Sequence, residues 1–186
     1  MRKIILSMLV SLDGFVAGPS GDLDWVIADD DHHKYSTKLL EGADTLIFGR
    51  VTYQSFVEYW PNAQETLHDN EKKVAEQINK AKKIVFSRTL QEVEWNSTLM
   101  REVMPDDILK LKQESGKDIV IFGSPTIAQT FMRRGLVDEY HLLVQPVILG
   151  KGLQLYEDIH DRMKLQHLDT ETFKSGVVLL KYAPIK

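Results

Sequence analysis

Three short stretches of this chain place glycine, hydroxyl and cationic side chains where a phosphate could bind. They are Gly49-Arg50-Val51-Thr52, Ser87-Arg88 and Gly123-Ser124-Pro125-Thr126. The first and third lead directly into a predicted helix, whose unpaired N–H groups and dipole attract an anion. Arg50 can bind a phosphate through its planar guanidinium, and Thr52 can add a hydroxyl donor. We therefore expect the diphosphate of a dinucleotide at Gly123.

The residues beside these glycines refine the expectation. Pro125 suits the first position of a helix, and Ser124 suits the N-cap before it. Arg88 follows a strand, where an arginine commonly holds the 2′-phosphate that distinguishes NADP from NAD, and where an acidic residue would indicate NAD. A solvated surface arginine remains the alternative for Arg88 taken alone.

Each of the three stretches follows a short apolar run of the kind that forms a strand buried on both faces. The runs are Thr45–Phe48, Lys83–Phe86 and Ile119–Phe122. In an open α/β sheet, ligands bind at the carboxyl ends of the strands. The three stretches are therefore expected at one edge of a sheet, although each alone could be an ordinary strand–turn–helix.

The remaining pattern predicts the elements that must position this edge. Strands are expected over Lys3–Ser11, Val93–Met100, Leu136–Gln145 and Val147–Leu149, with a terminal antiparallel hairpin of Met163–Phe173 and Val177–Tyr182. Helices are expected after Asp29-Asp30-Asp31, after Gly49, over Glu65–Lys80, from Pro105 to Lys112 and after Ser124. The pattern indicates an α/β protein with a single domain over residues 1–186.

Composition limits the classes of function. The 186 residues carry a formal net charge of -4, which argues against a general binder of nucleic acid or membrane surfaces. No run approaches the roughly 18 apolar residues that a membrane span needs. The absence of cysteine excludes disulfides, thiolate catalysis and cysteine-based zinc sites, and fits the cytoplasm. A metal site at Asp29–His33 is the alternative for that charged stretch, but a third ligand is not evident and no metal is expected.

The order and spacing of several motifs resemble the dihydrofolate reductase superfamily over nearly the whole chain. The motifs are Ser11-Leu12-Asp13-Gly14, Gly49-Arg50-Val51-Thr52-Tyr53, Phe86-Ser87-Arg88 and Phe122-Gly123-Ser124. Two later stretches resemble the reductase domain of the bifunctional riboflavin-biosynthesis deaminase–reductase and its small stand-alone bacterial relatives. These are Gly135-Leu136-Val137-Asp138-Glu139 and Pro146-Val147-Ile148-Leu149-Gly150-Lys151-Gly152.

The resemblance implies a three-layer αβα fold around a mixed, mostly parallel sheet that ends in an antiparallel hairpin, with NADPH bound across the carboxyl edge. The residues that it assigns to the cofactor are Ala17, Gly49, Arg50, Thr52, Ser87, Arg88, Gly123, Ser124 and Thr126. Ala17 would lie near the nicotinamide, and Ser87 and Arg88 would hold the 2′-phosphate. The family habit, together with the apolar segment Tyr140–Leu149, also implies a homodimer.

The same resemblance implies hydride transfer to a small heterocyclic substrate of the pterin or ribosylaminopyrimidine type, most specifically a 5-amino-6-(5-phosphoribosylamino)uracil reductase-like activity. Asp30 would be the catalytic carboxylate, with Asp29 and Asp31 as rivals, and Asp13 and Trp25 would contact the substrate. Two residues depart from the family pattern. Ser124 in place of a second glycine argues against a cis peptide bond at this position, and Phe122 in place of a glutamate argues against the riboflavin intermediate as the substrate. A nucleotide-binding or assembly protein that keeps the fold without turnover is the alternative.

Overall fold

A computed structural model describes residues 1–63, 68–157 and 159–185 and contains ten strands and five helices. The strands are β1 (Ile4–Ser11), β2 (Phe15–Ala17), β3 (Ala43–Gly49), β4 (Lys82–Phe86), β5 (Ser97–Met100), β6 (Asp118–Phe122), β7 (Glu139–Gln145), β8 (Leu153–Gln154), β9 (Leu165–Thr172) and β10 (Val178–Pro184). The helices are α1 (Asp30–Glu41), α2 (Arg50–Tyr59), α3 (Asp69–Lys80), α4 (Pro105–Gln113) and α5 (Pro125–Arg133).

Eight strands form one sheet in the order β5-β4-β3-β6-β1-β7-β10-β9. The strands from β5 to β7 pair in parallel, whereas β10 is antiparallel to both β7 and β9. The predicted fold class is therefore confirmed: a mixed, mostly parallel sheet with a C-terminal antiparallel hairpin. Because all six parallel strands run the same way, their carboxyl ends meet at one edge.

Two apolar cores cover the faces of this sheet, as the near-continuous apolar strands require. On one face, Ile4 and Leu6 of β1 pack with Phe131 of α5 and Ile108 of α4. On the other, Ile5 belongs to the cluster that includes side chains of α1, α2 and α3. Alternate side chains of β1 therefore face two different cores. Helices cover both faces of the sheet, and the fold has three layers.

Several predicted boundaries shift for local reasons. The strand expected from Val93 begins only at Ser97, because Trp95 and Asn96 take positive φ angles of 61° and 54°. The expected strand Val147–Leu149 is a loop, since Pro146 lacks an N–H group for the sheet. The helix expected from Glu65 is described from Asp69 onward, and residues 64–67 lie outside the described part of the chain.

The predicted subunit contact Tyr140–Leu149 lies mainly inside the protein, because β7 pairs with β1 on one side and β10 on the other. Four of its side chains are buried: Tyr140, His141, Leu143 and Gln145. Leu142 and Val144 share a face with Tyr140 and are half-buried there. Together with the β10 residues that pair with these three positions, they form what we call the β7–β10 patch: Leu142, Val144, Val178, Leu180 and Tyr182.

Candidate active site

The predicted phosphate-binding stretches meet at the carboxyl edge of the sheet. Gly49, the last residue of β3, is in register with Phe86 of β4, and Ser87 follows directly. Gly123 follows β6, the strand on the other side of β3. The strand order therefore aligns the loops after β4, β3, β6, β1 and β7 along one edge, as the sequence predicts.

Ser124 joins two of these turns. Its hydroxyl oxygen accepts a hydrogen bond from the Gly49 N–H at 2.8 Å, and its own N–H donates to the Thr52 hydroxyl at 3.1 Å. Ser124 does occupy the N-cap position of α5, but in the left-handed region, and its side chain makes no cap hydrogen bond to its own helix. The predicted N-cap position of Ser124 is thus confirmed, but its hydroxyl binds the neighbouring turn and not its own helix.

The N-termini of α2 and α5 differ electrostatically from those of the other helices. The first turns of α1, α3 and α4 each carry two acidic residues, whereas those of α2 and α5 carry none and have no side-chain cap within the described residues. Their orphan N–H groups and dipoles remain available to an anion. Exposed Arg50, whose guanidinium donates to Gln54 at 3.1 Å, adds a positive charge at α2, and Thr126 lies exposed in the first turn of α5.

The glycines of these turns allow close backbone approach. A Cβ atom on Gly49 would lie 3.1 Å from Cγ1 of Ile127 in α5, so a larger residue would push the two turns apart. Gly123 has a φ of +55°, a conformation that favours glycine. The sequence therefore builds a cradle of backbone N–H groups between two helix starts, with chemistry that suits a diphosphate.

The loop after β4 is fixed by its own residues. Buried Ser87 accepts hydrogen bonds on its hydroxyl oxygen from the N–H groups of Thr89 at 3.2 Å and Leu90 at 3.0 Å. Arg101 donates to the carbonyl oxygens of Ser87 and Leu90. Ser87 thus has a structural role that the sequence did not reveal, while exposed Arg88 projects from the loop and pairs with Glu102 at 2.8 Å.

Asp13 is engaged with the protein's own loops. Its carboxylate accepts hydrogen bonds from the Ser11 hydroxyl at 2.7 Å and from the N–H groups of Leu149 at 3.1 Å and Gly150 at 2.7 Å. The hydrogen bond from Ser11 is the main reason that the pKa of Asp13 lies below its usual value. This carboxylate therefore joins the turn after β1 to the loop after β7, a role that differs from the expected substrate contact.

Ala17 and Trp25 flank the same edge. Ala17 lies buried in β2, where a Cβ atom on Gly152 would approach the Ala17 carbonyl oxygen to 2.2 Å, so β8 packs against it by means of that glycine. Trp25 is half-buried, and its indole N–H donates to the carbonyl oxygen of Asp22 at 3.1 Å. Both residues lie in the segment that leads from β1 to α1.

The carboxylates at the start of α1 have different surroundings. Asp29 is the N-cap and accepts the His32 N–H at 2.9 Å, while Asp30 is the exposed first residue of the helix. Asp31 accepts the Lys174 N–H at 3.3 Å. Asp29 and Asp31 therefore both accept backbone N–H groups at this helix start.

Two polar side chains near this helix start were not predicted. Gln145 is fully buried at the end of β7; its amide oxygen accepts the Ile27 N–H at 2.9 Å, and its amide nitrogen has no partner among the described residues. His32 is half-buried, its Nδ1 likewise has no partner among the residues that the structure describes, and burial lowers its pKa to about 4. The sequence signal for Gln145 was the presence of a glutamine at the end of an apolar strand, just before Pro146.

Other site chemistries gain no support. Within the ranges that the structure describes, no cluster of three or more His, Asp or Glu side chains could hold a metal ion, and this includes Asp29–His33. Of the helices formed by those residues, none has the length and apolar character needed to cross a membrane.

Comparison with known proteins supplies a family. The sequence model of the RibD C-terminal domain matches residues 2–179. The uncharacterized protein YyaP of Bacillus subtilis (strain 168) is 38% identical over 181 residues, which are 97% of this chain and 94% of YyaP.

Two solved structures share the fold at low sequence identity. A putative riboflavin biosynthesis protein from Shewanella sp. PV-4 is 22% identical, with a TM-score of 0.78 and full coverage of both chains. The diaminohydroxyphosphoribosylaminopyrimidine deaminase/5-amino-6-(5-phosphoribosylamino)uracil reductase of Thermotoga maritima is 18% identical, with a TM-score of 0.68; the match covers 99% of this chain and 57% of that one.

Proposed function

We propose, on the premise that the chain belongs to the RibD C-terminal domain family, that it is an NADPH-dependent reductase of a small heterocyclic substrate. The observation that carries this proposal is the pair of helix starts at α2 and α5. They are free of acidic residues and side-chain caps, and Ser124 ties them together at the carboxyl edge of a parallel sheet. A diphosphate is the group whose charge and size suit such a pair of N-termini.

The strand order supports one direction for the proposed cofactor. Its diphosphate would contact the backbone at Gly49 and Gly123 and the side chains of Arg50, Thr52, Ser124 and Thr126. Its adenosine 2′-phosphate would reach Ser87 and Arg88 beside β4, and its nicotinamide would lie toward β1 and Ala17. When bound, NADPH supplies the hydride, and the protein supplies orientation and charge complementarity.

The substrate would lie beyond the nicotinamide, between the ends of β1 and β7 and the start of α1. We propose a pterin-like or ribosylaminopyrimidine-like heterocycle, with 5-amino-6-(5-phosphoribosylamino)uracil reductase-like activity as the most specific form. Asp30, the first residue of α1, is the candidate proton donor that the family resemblance implies. Trp25 and Asp13 border this space.

Titration with reduced nicotinamide cofactors tests the proposal. On binding, NADPH should quench the tryptophan fluorescence of the purified protein, and the emission of its own nicotinamide should increase. In the presence of a suitable heterocycle, NADPH should be oxidised. Arg88→Ala should weaken NADPH binding at least about tenfold while changing NADH little, because charge-assisted pairing with a phosphate is lost. Arg133→Ala, at the opposite end of α5, serves as the matched control. If wild-type protein binds neither cofactor, the proposal fails.

A nucleotide-binding protein without turnover is the second candidate. It is favoured by Asp13, Asp29 and Asp31, whose carboxylates already accept hydrogen bonds from backbone N–H groups. Binding of NADPH without oxidation across a panel of pterins, ribosylated pyrimidines and simple carbonyls would select this candidate. We also propose that the protein is a homodimer that works in the cytoplasm.

A further inference from the structure

We infer that Glu102 limits the preference of this protein for NADPH over NADH. Its carboxylate forms an ion pair with the guanidinium group of Arg88, which the 2′-phosphate of NADPH would need to bind. The inference rests on the proposed function. It concerns a residue that lies outside all the phosphate-binding motifs of the sequence, two positions after β5.

The contact arises from the pairing of two neighbouring strands. Phe86 of β4 is in register with Met100 of β5, and the Ser87 N–H donates to the Met100 carbonyl oxygen at 3.0 Å. The residues that follow the two strands are therefore neighbours. Nη2 of Arg88 lies 2.8 Å from Oε1 of Glu102, and the side chains are 77% and 53% exposed.

The backbone beneath this ion pair is well fixed. The hydrogen bonds from Thr89 and Leu90 to the Ser87 hydroxyl, and those from Arg101 to two carbonyl oxygens, hold the loop in one shape. We therefore expect Arg88 to engage a ligand through a change in its side chain. The carboxylate of Glu102 is the group that must be released when it does so.

The two cofactors make different demands on this pair. A 2′-phosphate carries a charge of about −1.5 to −2 at pH 7 and three strong acceptor oxygens, so it can displace an exposed carboxylate from a guanidinium. The bound 2′-phosphate then lies beside the displaced carboxylate of Glu102, and the two negative charges repel each other. The neutral 2′-hydroxyl of NADH requires no displacement and meets no such repulsion. Glu102 should therefore weaken NADPH binding and leave NADH binding nearly unchanged.

The charge-neutral variant Glu102→Gln tests this inference. Exposed ion pairs are weak, so we expect NADPH to bind about 3- to 10-fold more tightly and NADH to change less than about twofold. Calorimetric titration with adenosine 2′,5′-bisphosphate and with adenosine 5′-phosphate should reproduce the difference without any turnover. The gain should shrink at high salt, because exposed charges are screened. Glu92→Gln is the matched control, since Glu92 is also exposed and carries the same charge.

The possible outcomes separate this inference from the proposed function. If wild-type protein binds neither cofactor, both are overturned. If Arg88→Ala selectively loses NADPH but Glu102→Gln binds NADPH as the wild type does, only the role of Glu102 is overturned. Weaker NADPH binding by Glu102→Gln would also overturn it, since Glu102 would then orient Arg88 for the phosphate. If Glu92→Gln binds NADPH more tightly by the same factor, the effect comes from net charge, and the role of Glu102 is overturned. Equal thermal unfolding midpoints verify that the variants are folded.

Discussion

At the scale of single residues, His32 links the start of α1 to the pH dependence of stability. Burial, followed by the neighbouring charge of His33, lowers its pKa from 6.5 to about 4. The folded protein therefore keeps this imidazole neutral where the unfolded chain protonates it. Above pH 6.5 both states are neutral and the stability is complete. As the pH falls toward 4, the unfolded state gains a proton that the folded state rejects, and stability is lost.

We expect His32 alone to account for a loss of about 1 to 2 kcal/mol in the free energy of unfolding between pH 7 and pH 5. Urea denaturation at the two pH values measures it, and His32→Leu should remove this part of the loss. His160→Leu, which replaces an exposed histidine, is the control variant. An identical pH dependence in wild type and His32→Leu would contradict the expectation.

The residues at the strand ends could be located from the sequence, but the hydrogen-bond partners of the carboxylates could not be predicted. Gly49, Ser87 and Gly123 follow apolar runs, so a parallel sheet must bring them to one edge. The partners of Asp13, in contrast, are N–H groups of Leu149 and Gly150, which only the tertiary fold brings near. For the same reason Gln145 was missed, since its partner Ile27 is 118 residues away in sequence.

At the scale of elements, the two helix starts act as one unit because Ser124 donates its N–H to the Thr52 hydroxyl and accepts the Gly49 N–H on its own hydroxyl oxygen. Thr52→Val keeps the shape of the side chain but removes the acceptor of the Ser124 N–H at 3.1 Å. The turn after β6 should then lose its fixed position relative to α2. Because both NADPH and NADH carry the diphosphate, we expect both to bind about 3- to 10-fold more weakly, as the loss of about one hydrogen bond implies.

Fluorescence titration of the two cofactors measures this effect. Thr130→Val is the matched control, because its hydroxyl donates to the Thr126 carbonyl within α5 itself and does not join the two turns. A selective loss of NADPH alone in Thr52→Val would place the contact at the 2′-phosphate and contradict the assignment of this turn to the diphosphate. Equal losses in the two threonine variants would attribute the effect to α5 as a whole.

The main elements could be predicted because their hydrophobic periods are regular, whereas short elements without a period could not. The β2–β8 ribbon pairs only Phe15–Ala17 with Leu153–Gln154, too few residues to show alternation. Its close packing depends on Gly152, whose φ is +146°. Positive φ angles at Trp95 and Asn96, which delay β5, have no sequence signal either, since tryptophan rarely adopts them.

At the scale of the whole molecule, the proposed homodimer would form on the antiparallel part of the sheet. The β7–β10 patch places five apolar side chains side by side, all of them only partly buried. The sheet edge is less suited to pairing, because β9 is exposed along its length and carries Asp169 and Glu171, charges that oppose edge-to-edge association. The proposed homodimer should therefore form through the face of the sheet.

Leu180 is the residue of the patch with which to test this arrangement, because it pairs with Leu142 across the strands but is not among the side chains packed into either core. Leu180→Glu would bury a carboxylate in the interface, whose desolvation opposes association, while a monomer would leave it in water. We expect light scattering after size exclusion to find a wild-type dimer and a folded Leu180→Glu monomer. Leu109→Glu, a change at an exposed leucine of α4, should remain dimeric. A monomeric wild type would refute the homodimer, and a dimeric Leu180→Glu would move the interface away from this patch.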